Sequence, residues 1–487
     1  MLVRQFAVAG LGHLSTLIAD EATGQAAVVD PRRDVDAYVT AAHELGLQIT
    51  HAVETHLHND YVSGGRELGA ATGADQVIGA GAELRHPHRA VGHGESFQVG
   101  GLRFTALETP GHTPEHVAYA VTDTARADEP VLMFTGGSLL VGSVGRTDLL
   151  GNAAALPGAR AMFQSLHEVV LTHQDFVEVY PTHGAGSLCS TGISATAHST
   201  IGFERRHNPL LQPREVDAFA RALLSGQPTV PPYFARMRPT NQAGPRVLGG
   251  VPSPAPVGVT AAREAVADGA LLIDLRPPAQ FASGHVPGSL SIPSDESFGT
   301  WLGWVVTDPD RPLILILDAE ADWDDAVRQA LRIGFESTVG YLEGGFPAWA
   351  ASGLPTESSG ILNVDELAAA LSGGGPDAPL LIDVRQASEI ESGHVPGAIP
   401  IGAADLPERL AGFPRDRPLA TICAGGFRSS IAASLLKTAG FERVSSVAGG
   451  VSAWAAAGLP LERGAASARL PEPIAAAASG GGSAHSH

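Results

Sequence analysis

Two groups of residues in this sequence have the types and spacing that chemistry needs. The first is a set of histidines. His56-Leu57-His58-Asn59-Asp60-Tyr61 follows an apolar, strand-like run, His112 stands in Thr-Pro-Gly-His-Thr-Pro, and His183 in Tyr-Pro-Thr-His-Gly. Two histidines at i and i+2 leaving a strand reach one metal ion from a tight loop. Neutral imidazole suits zinc or iron, and three such ligands leave positions open for substrate. The second group surrounds Cys423, which ends the run Leu-Ala-Thr-Ile and is followed by Ala424-Gly425-Gly426-Phe427-Arg428-Ser429 and a helical pattern. A thiol just before a helix N-terminus faces converging backbone N–H groups and the helix dipole, which stabilise a thiolate or persulfide anion. Gly425 and Gly426 let the loop curl without obstruction, and Arg428 adds positive charge for an anionic sulfur donor or acceptor. Cys423, Gly425, Gly426, Arg428 and Ser429 form the candidate catalytic set.

Three regions position these groups. In residues 1–201, short β-rich runs alternate with helical stretches such as Val35 to Leu45, and many runs end in a His, Asp or Gly cluster. Chemistry at strand ends is usual in α/β layers. Residues 202–257 are rich in proline and predict one amphipathic helix, in REVDAFARALLSG, with the remainder an extended linker. The rest is an internal repeat. LLIDLRPPAQFASGHVPGSLSIP from Leu271 matches LLIDVRQASEIESGHVPGAIPIG from Leu380, and the DRPL at Asp310 recurs at Asp416. Each copy reads strand, helix, strand, helix, which predicts small α/β domains over 258–358 and 359–468. The tail, 469–487, is low-complexity and expected to be disordered, with His485 and His487 solvated.

Composition excludes several classes. The 31 Lys+Arg against 51 Asp+Glu leave a net charge of −20. That balance argues against a nucleic-acid binder and against adhesion to an anionic membrane. Two cysteines, Cys189 and Cys423, cannot form a disulfide framework and read as free thiols of a reducing cytoplasm. No apolar run reaches the roughly 18 residues of a membrane span.

The segments THLHNDYVSGG, TPGHTPEH, FTGGSLLVGSVGRTDL and YPTHGAGSLCS, in that order and spacing, resemble the metallo-β-lactamase superfamily, and within it the persulfide dioxygenase branch. The resemblance covers residues 1–201 and implies an αββα sandwich with metal between two sheets. Two departures stand out. The superfamily's His-x-His-x-Asp-His ends here in Tyr61, which removes a ligand of the second metal. The branch's single iron is held by two histidines, matched by His56 and His112, and by the aspartate of a Thr-Gly-Asp sequence. This chain has Thr135-Gly136-Gly137 instead. Three outcomes stand open. His58 completes a three-histidine site, Asp60 or Asp148 reaches the metal, or the site is degraded. The first, His56, His58 and His112 around one Fe(II), is the expectation, with zinc as the alternative metal. His183 is then a neighbour of the site. Tyr61 either bonds a bound oxygen species or packs as a loop aromatic. Cys189, six residues after His183, either relays a persulfide or is a small buried hydrophobe. Arg146, Thr147 and Asp148 are expected to brace their loop.

Cys-x-x-Gly-x-Arg-Ser, with IDVR and GHVPGA upstream, resembles the rhodaneses, sulfurtransferases that carry sulfane sulfur as a cysteine persulfide. Asp383, Arg385, His394 and the Gly449-Gly450 turn match the same pattern and are expected to brace the fold. The first copy places Leu317 or Asp318 opposite Cys423, in an acidic loop, and should be inactive. The resemblances together imply a sulfur-metabolism enzyme, placed in the cytoplasm by its free thiols and expected to be a homo-oligomer. It would oxidise small thiol persulfides with O2 to sulfite at iron and exchange sulfane sulfur with sulfite and thiosulfate through Cys423. The alternative is a thioesterase-like hydrolase, or a degraded metal domain, fused to a working sulfurtransferase.

Overall fold

The structure is a computed structural model describing residues 1–470; His485, His487 and the rest of the expected tail from Pro471 lie outside the described residues. The chain divides into two compact units. One comprises 1–270 and 294–345, the other 271–293 and the residues from 346 onward.

The first unit is built on two six-stranded sheets. In one, strands Leu2–Val8, His13–Asp20, Gln25–Val29, Gln48–Val53, Asp75–Gly79 and Arg89–Val91 lie side by side in chain order. In the other the order is Ser199–Thr200, Glu178–Pro181, Leu132–Gly136, Val117–Asp123, Leu102–Glu108 and Ser96–Val99. Alternate side chains of a strand face opposite sides. Leu102, Phe104 and Ala106 accordingly point inward and join Val29, Val53, Val77, Val121 and Phe134 in the core between the sheets. The outer face of the first sheet packs on Tyr38 and Ala42 of helix Asp36–Glu44 and on Leu68 of helix Gly65–Thr72. The outer face of the second packs on Ala159 and Met162 of helix Asn152–Gln164. The result is an αββα sandwich.

The segment read as mostly extended linker is more structured than its prolines suggest. It carries helices Ile201–His207, Val216–Leu224 and Phe234–Ala243. Phe219, Ala220 and Leu223 belong to the same core as Met133 and Met162, so burial overrides the proline signal there. Pro239 sits inside the third helix.

Each rhodanese-like copy has a parallel sheet. In the second copy the order is Gly360–Leu362, Val444–Val447, Leu419–Ile422, Leu380–Asp383 and Ile399–Pro400. In the first copy, Pro256–Val257, Thr338–Leu342 and Leu313–Ile316 pair in parallel, as do Leu271–Asp274 and Leu290–Ser291. The bracing is duplicated. Arg385 grips Asp383 at 2.9 and 2.7 Å and the Gly393 carbonyl at 2.8 Å. Arg276 grips Asp274 at 2.9 and 2.6 Å and the Gly284 carbonyl at 2.9 Å. His394 and His285 donate to the carbonyls of Ile390 and Phe281.

Among the described residues no helix is long and apolar enough to cross a membrane.

Candidate functional site

The histidines meet where the strands of the sandwich end. His56 and His58 leave strand Gln48–Val53, His112 follows Leu102–Glu108, and His183 follows Glu178–Pro181. Ligand atoms of His56, His112 and His183 lie within 4.8 Å of one another, and all three residues are buried. Their tautomers are set by neighbours. Thr55 Oγ1 donates its proton to Asp30 at 2.8 Å, so His56 Nδ1–H donates to Thr55 Oγ1 at 2.9 Å and leaves Nε2 with a lone pair. His112 Nδ1–H donates to the Arg146 carbonyl at 2.8 Å, leaving its Nε2 likewise free to bind. Burial, and then the neighbouring imidazoles, push His56 far below its ordinary value and His112 down to about 3, so both rings are neutral.

His58, the expected third ligand, lies in a different group. Its Nε2 approaches Glu54 at 3.0 Å and Asp30 at 3.3 Å. Burial pulls this imidazole down, but the two carboxylates, Asp30 foremost, raise it to about 9. Both pairings are to Nε2 and leave His58 Nδ1 buried without a partner among the described residues, while the residue whose ligand atoms group with those of His56 and His112 is His183. Asp148 is spent on Arg146, whose Nε and Nη2 hold its two oxygens at 2.6 and 2.8 Å. Arg146 also donates to the carbonyls of Leu188 and Pro228, which is a bracing role. The Tyr61 hydroxyl donates to the Asp30 carbonyl at 3.3 Å, and its ring stacks on His58, so it packs rather than facing the three histidines. Asp60 stands 3.4 Å from His183 Nδ1. Asp60, His183 and Cys189 form a second buried group whose ligand atoms lie within 4.8 Å of one another.

Gly137, where the resemblance leads one to expect an aspartate, lies under the His112 ring, and a Cβ there would overlap it. Its N–H donates to His116 Nε2 at 2.9 Å, and His116 Nδ1–H donates to Thr109 at 2.8 Å. His116 is thus fully bonded and orients the loop. Sequence reasoning passed over it, although it stands four residues after His112. It also missed Asn241, whose amide donates to the carbonyls of His58 and Tyr61 and accepts from Ser63 N–H, each at 2.9 Å. No local pattern could have shown this bond, because 180 residues of chain separate Asn241 from Tyr61.

In the second unit, Cys423 follows strand Leu419–Ile422 and precedes helix Phe427–Thr438. Gly426 N–H points at Sγ from 3.1 Å, and Ser429 Oγ lies 3.6 Å away. A second helix start holds the loop from behind, with Val451 and Ser452 N–H donating to the carbonyls of Cys423 and Ala424 at 2.8 and 3.0 Å. Gly425 has open space around it. Arg428 does not stand free beside the sulfur, because Glu389 takes both ends of its guanidinium at 2.7 Å.

Two rhodanese-like domain matches span residues 259–352 and 363–457. Hydroxyacylglutathione hydrolase of Rhodospirillum rubrum is 32% identical over 235 residues, 46% of this chain and 91% of that protein. Mitochondrial persulfide dioxygenase ETHE1 of Mus musculus is 30% identical over 203 residues, 40% of this chain and 70% of that protein. A crystal structure of a metallo-β-lactamase from Staphylococcus aureus subsp. aureus COL superposes with a TM-score of 0.63 at 32% identity, covering 70% of this chain and 98% of that one. The chain belongs to the metallo-β-lactamase family, with two rhodanese-like domains fused behind. It is a protein of sulfur metabolism, and its relatives are enzymes.

The metallo-β-lactamase domain has the donor set for a metal. His56 Nε2, His58 Nδ1, His112 Nε2, both ring nitrogens of His183 and both carboxylate oxygens of Asp60 are buried without a hydrogen-bond partner among the described residues. Each such orphan costs about 1–3 kcal/mol, a penalty that a bound cation removes. The neutral imidazoles of His56 and His112, whose other nitrogen is already bonded, are pre-oriented ligands. The residues present therefore fit a metal, held by His56, His112 and His183 with Asp60 adjacent. The rhodanese-like domains differ from each other in the same way as their sequences. The first has no thiol and presents exposed Asp318 and Glu320 where the second presents Cys423.

Proposed function

We propose that this protein oxidises a low-molecular-weight thiol persulfide with O2 to sulfite in its metallo-β-lactamase domain, and transfers sulfane sulfur through a Cys423 persulfide in its second rhodanese-like domain. One observation carries the reading. A domain 30% identical to a persulfide dioxygenase shares its chain with a thiol set against a helix N-terminus, and both fit the same sulfur chemistry. Iron, when bound at the histidine group, would supply electron flow between the persulfide and O2. The chain's own part is to orient the ligand rings through Thr55 and the Arg146 carbonyl. It also keeps the site dry, since His56, His112, His183 and Cys189 are all buried. In the rhodanese-like domain, Cys423 attacks the outer sulfur of thiosulfate. The S–S bond breaks, sulfite leaves, and the Gly426 N–H and the helix start stabilise the resulting persulfide anion.

A hydrolase reading draws on the hydroxyacylglutathione hydrolase likeness and on the second group, Asp60, His183 and Cys189, as a site for another metal. Metal analysis and O2 uptake separate the two. The expected result is one iron per chain, O2 consumption on adding glutathione persulfide, and sulfite formation. Two zincs with thioester hydrolysis and no O2 uptake would overturn it. Cys423→Ser should abolish thiosulfate sulfurtransfer and leave O2 uptake intact.

A further inference from the structure

The first rhodanese-like copy has no thiol, yet part of it is built against the loops that carry the histidines. Its residues 294–345 fold in one unit with 1–270. Helix Asp322–Arg332 ends in Arg332, whose side chain is 9% exposed. Arg332 Nε and Nη2 donate to the two oxygens of buried Asp34 at 2.8 and 2.6 Å. Asp34 lies four residues beyond Asp30, the carboxylate that accepts from Thr55 N–H and faces His58. The Arg332 carbonyl accepts the N–H of Val62 at 2.7 Å, immediately after Tyr61. One residue therefore grips both loops that frame the histidines, the 30–35 loop by its side chain and the 56–63 loop by its main chain. The loops are tied to each other at Gly64 N–H to the Pro31 carbonyl, 2.7 Å.

The repeat makes this position informative. Alignment on DRPL puts Arg332 opposite Thr438 of the active copy. The Thr438 hydroxyl donates to the Leu435 carbonyl of its own helix at 2.9 Å. The arginine that reaches out belongs to the copy without the thiol.

We infer that Arg332 is a positioning residue for the metal site, and that the inactive copy serves as the wall that sets the 56–63 loop. The inference rests on the metal reading above. Losing the Arg332 side chain frees Asp34 and the 30–35 loop, whose Asp30 holds Thr55, the hydrogen-bond partner of His56 Nδ1. Losing a ligand's direct partner typically weakens metal affinity about 10–100-fold, and a support further out falls at the lower end of that range.

Cobalt(II), titrated into the full-length protein, tests this through its visible spectrum. Arg332→Met should bind cobalt about tenfold more weakly, with an altered spectrum. Arg332→Lys should recover part of the loss, since it restores charge but not the two-pronged bond. Thiosulfate sulfurtransfer at Cys423 should stay unchanged in both. Asp34 keeps Arg32 at 3.2 Å and Arg328 at 3.7 Å, so it is not left without a cation. The double variant D34N/R332M removes both charges together. It should melt like the wild type and still bind cobalt weakly, which separates positioning from unfolding. Cobalt binding by the folded variants within twofold of wild type, with the same spectrum, would overturn the inference alone. A wild type that takes up no cobalt would overturn the metal reading and this inference with it.

Discussion

At the scale of single residues, two positions decide the chemistry, and neither is a ligand or a nucleophile. Gly137 gives its space to the His112 ring. Placing an acid there with Gly137→Asp should therefore lower metal content, because the new side chain displaces His112 before it can coordinate; a rise in metal content would refute this account. Glu389 is the second. It cancels the charge of Arg428 beside Cys423, which disfavours a dianionic donor. Glu389→Gln should raise kcat/KM for thiosulfate about tenfold, the scale of one unit charge acting across a partly screened site. Burial pushes the Glu389 carboxyl up, but the Arg428 bonds outweigh it and hold it below its usual range. A lowered carboxylate keeps its pairing above the ordinary glutamate range and loses it as pH falls through the lowered value. The advantage of the variant should therefore shrink with falling pH, which a pH profile of the two proteins will show. The motifs around these residues were legible because they are local. The grouping of His183 with His56 and His112 was not, because the fold brings it to them from a separate strand end far along the chain.

At the scale of elements, two helix starts converge on one loop. Helix Phe427–Thr438 faces the Cys423 sulfur, and helix Gly450–Ala456 faces the carbonyls behind it. Gly450 makes the approach possible. Its φ is +56°, and a Cβ there would overlap the Cys423 carbonyl. Gly450→Ala should push the loop away from the second helix and reduce sulfurtransfer roughly 100-fold, the scale of a misplacement near 1 Å. Steady-state rates with thiosulfate test this, and near-normal turnover would mean that the second helix start is dispensable. The sandwich was readable as alternating runs, since burial at every second residue leaves that trace. Helix Phe234–Ala243 was hidden by its proline and by its role, which is to seat Asn241 on a distant loop.

At the scale of the whole molecule, each rhodanese-like copy keeps its Asp-Arg fork, Asp274–Arg276 in one and Asp383–Arg385 in the other, and only one keeps a thiol. The residues that brace the fold are therefore distinct from the thiol. Selection can act on the two separately. A copy without the thiol can keep the same architecture while its outer faces differ. An inherited scaffold of this kind accumulates new contacts without a stage at which the protein fails to fold.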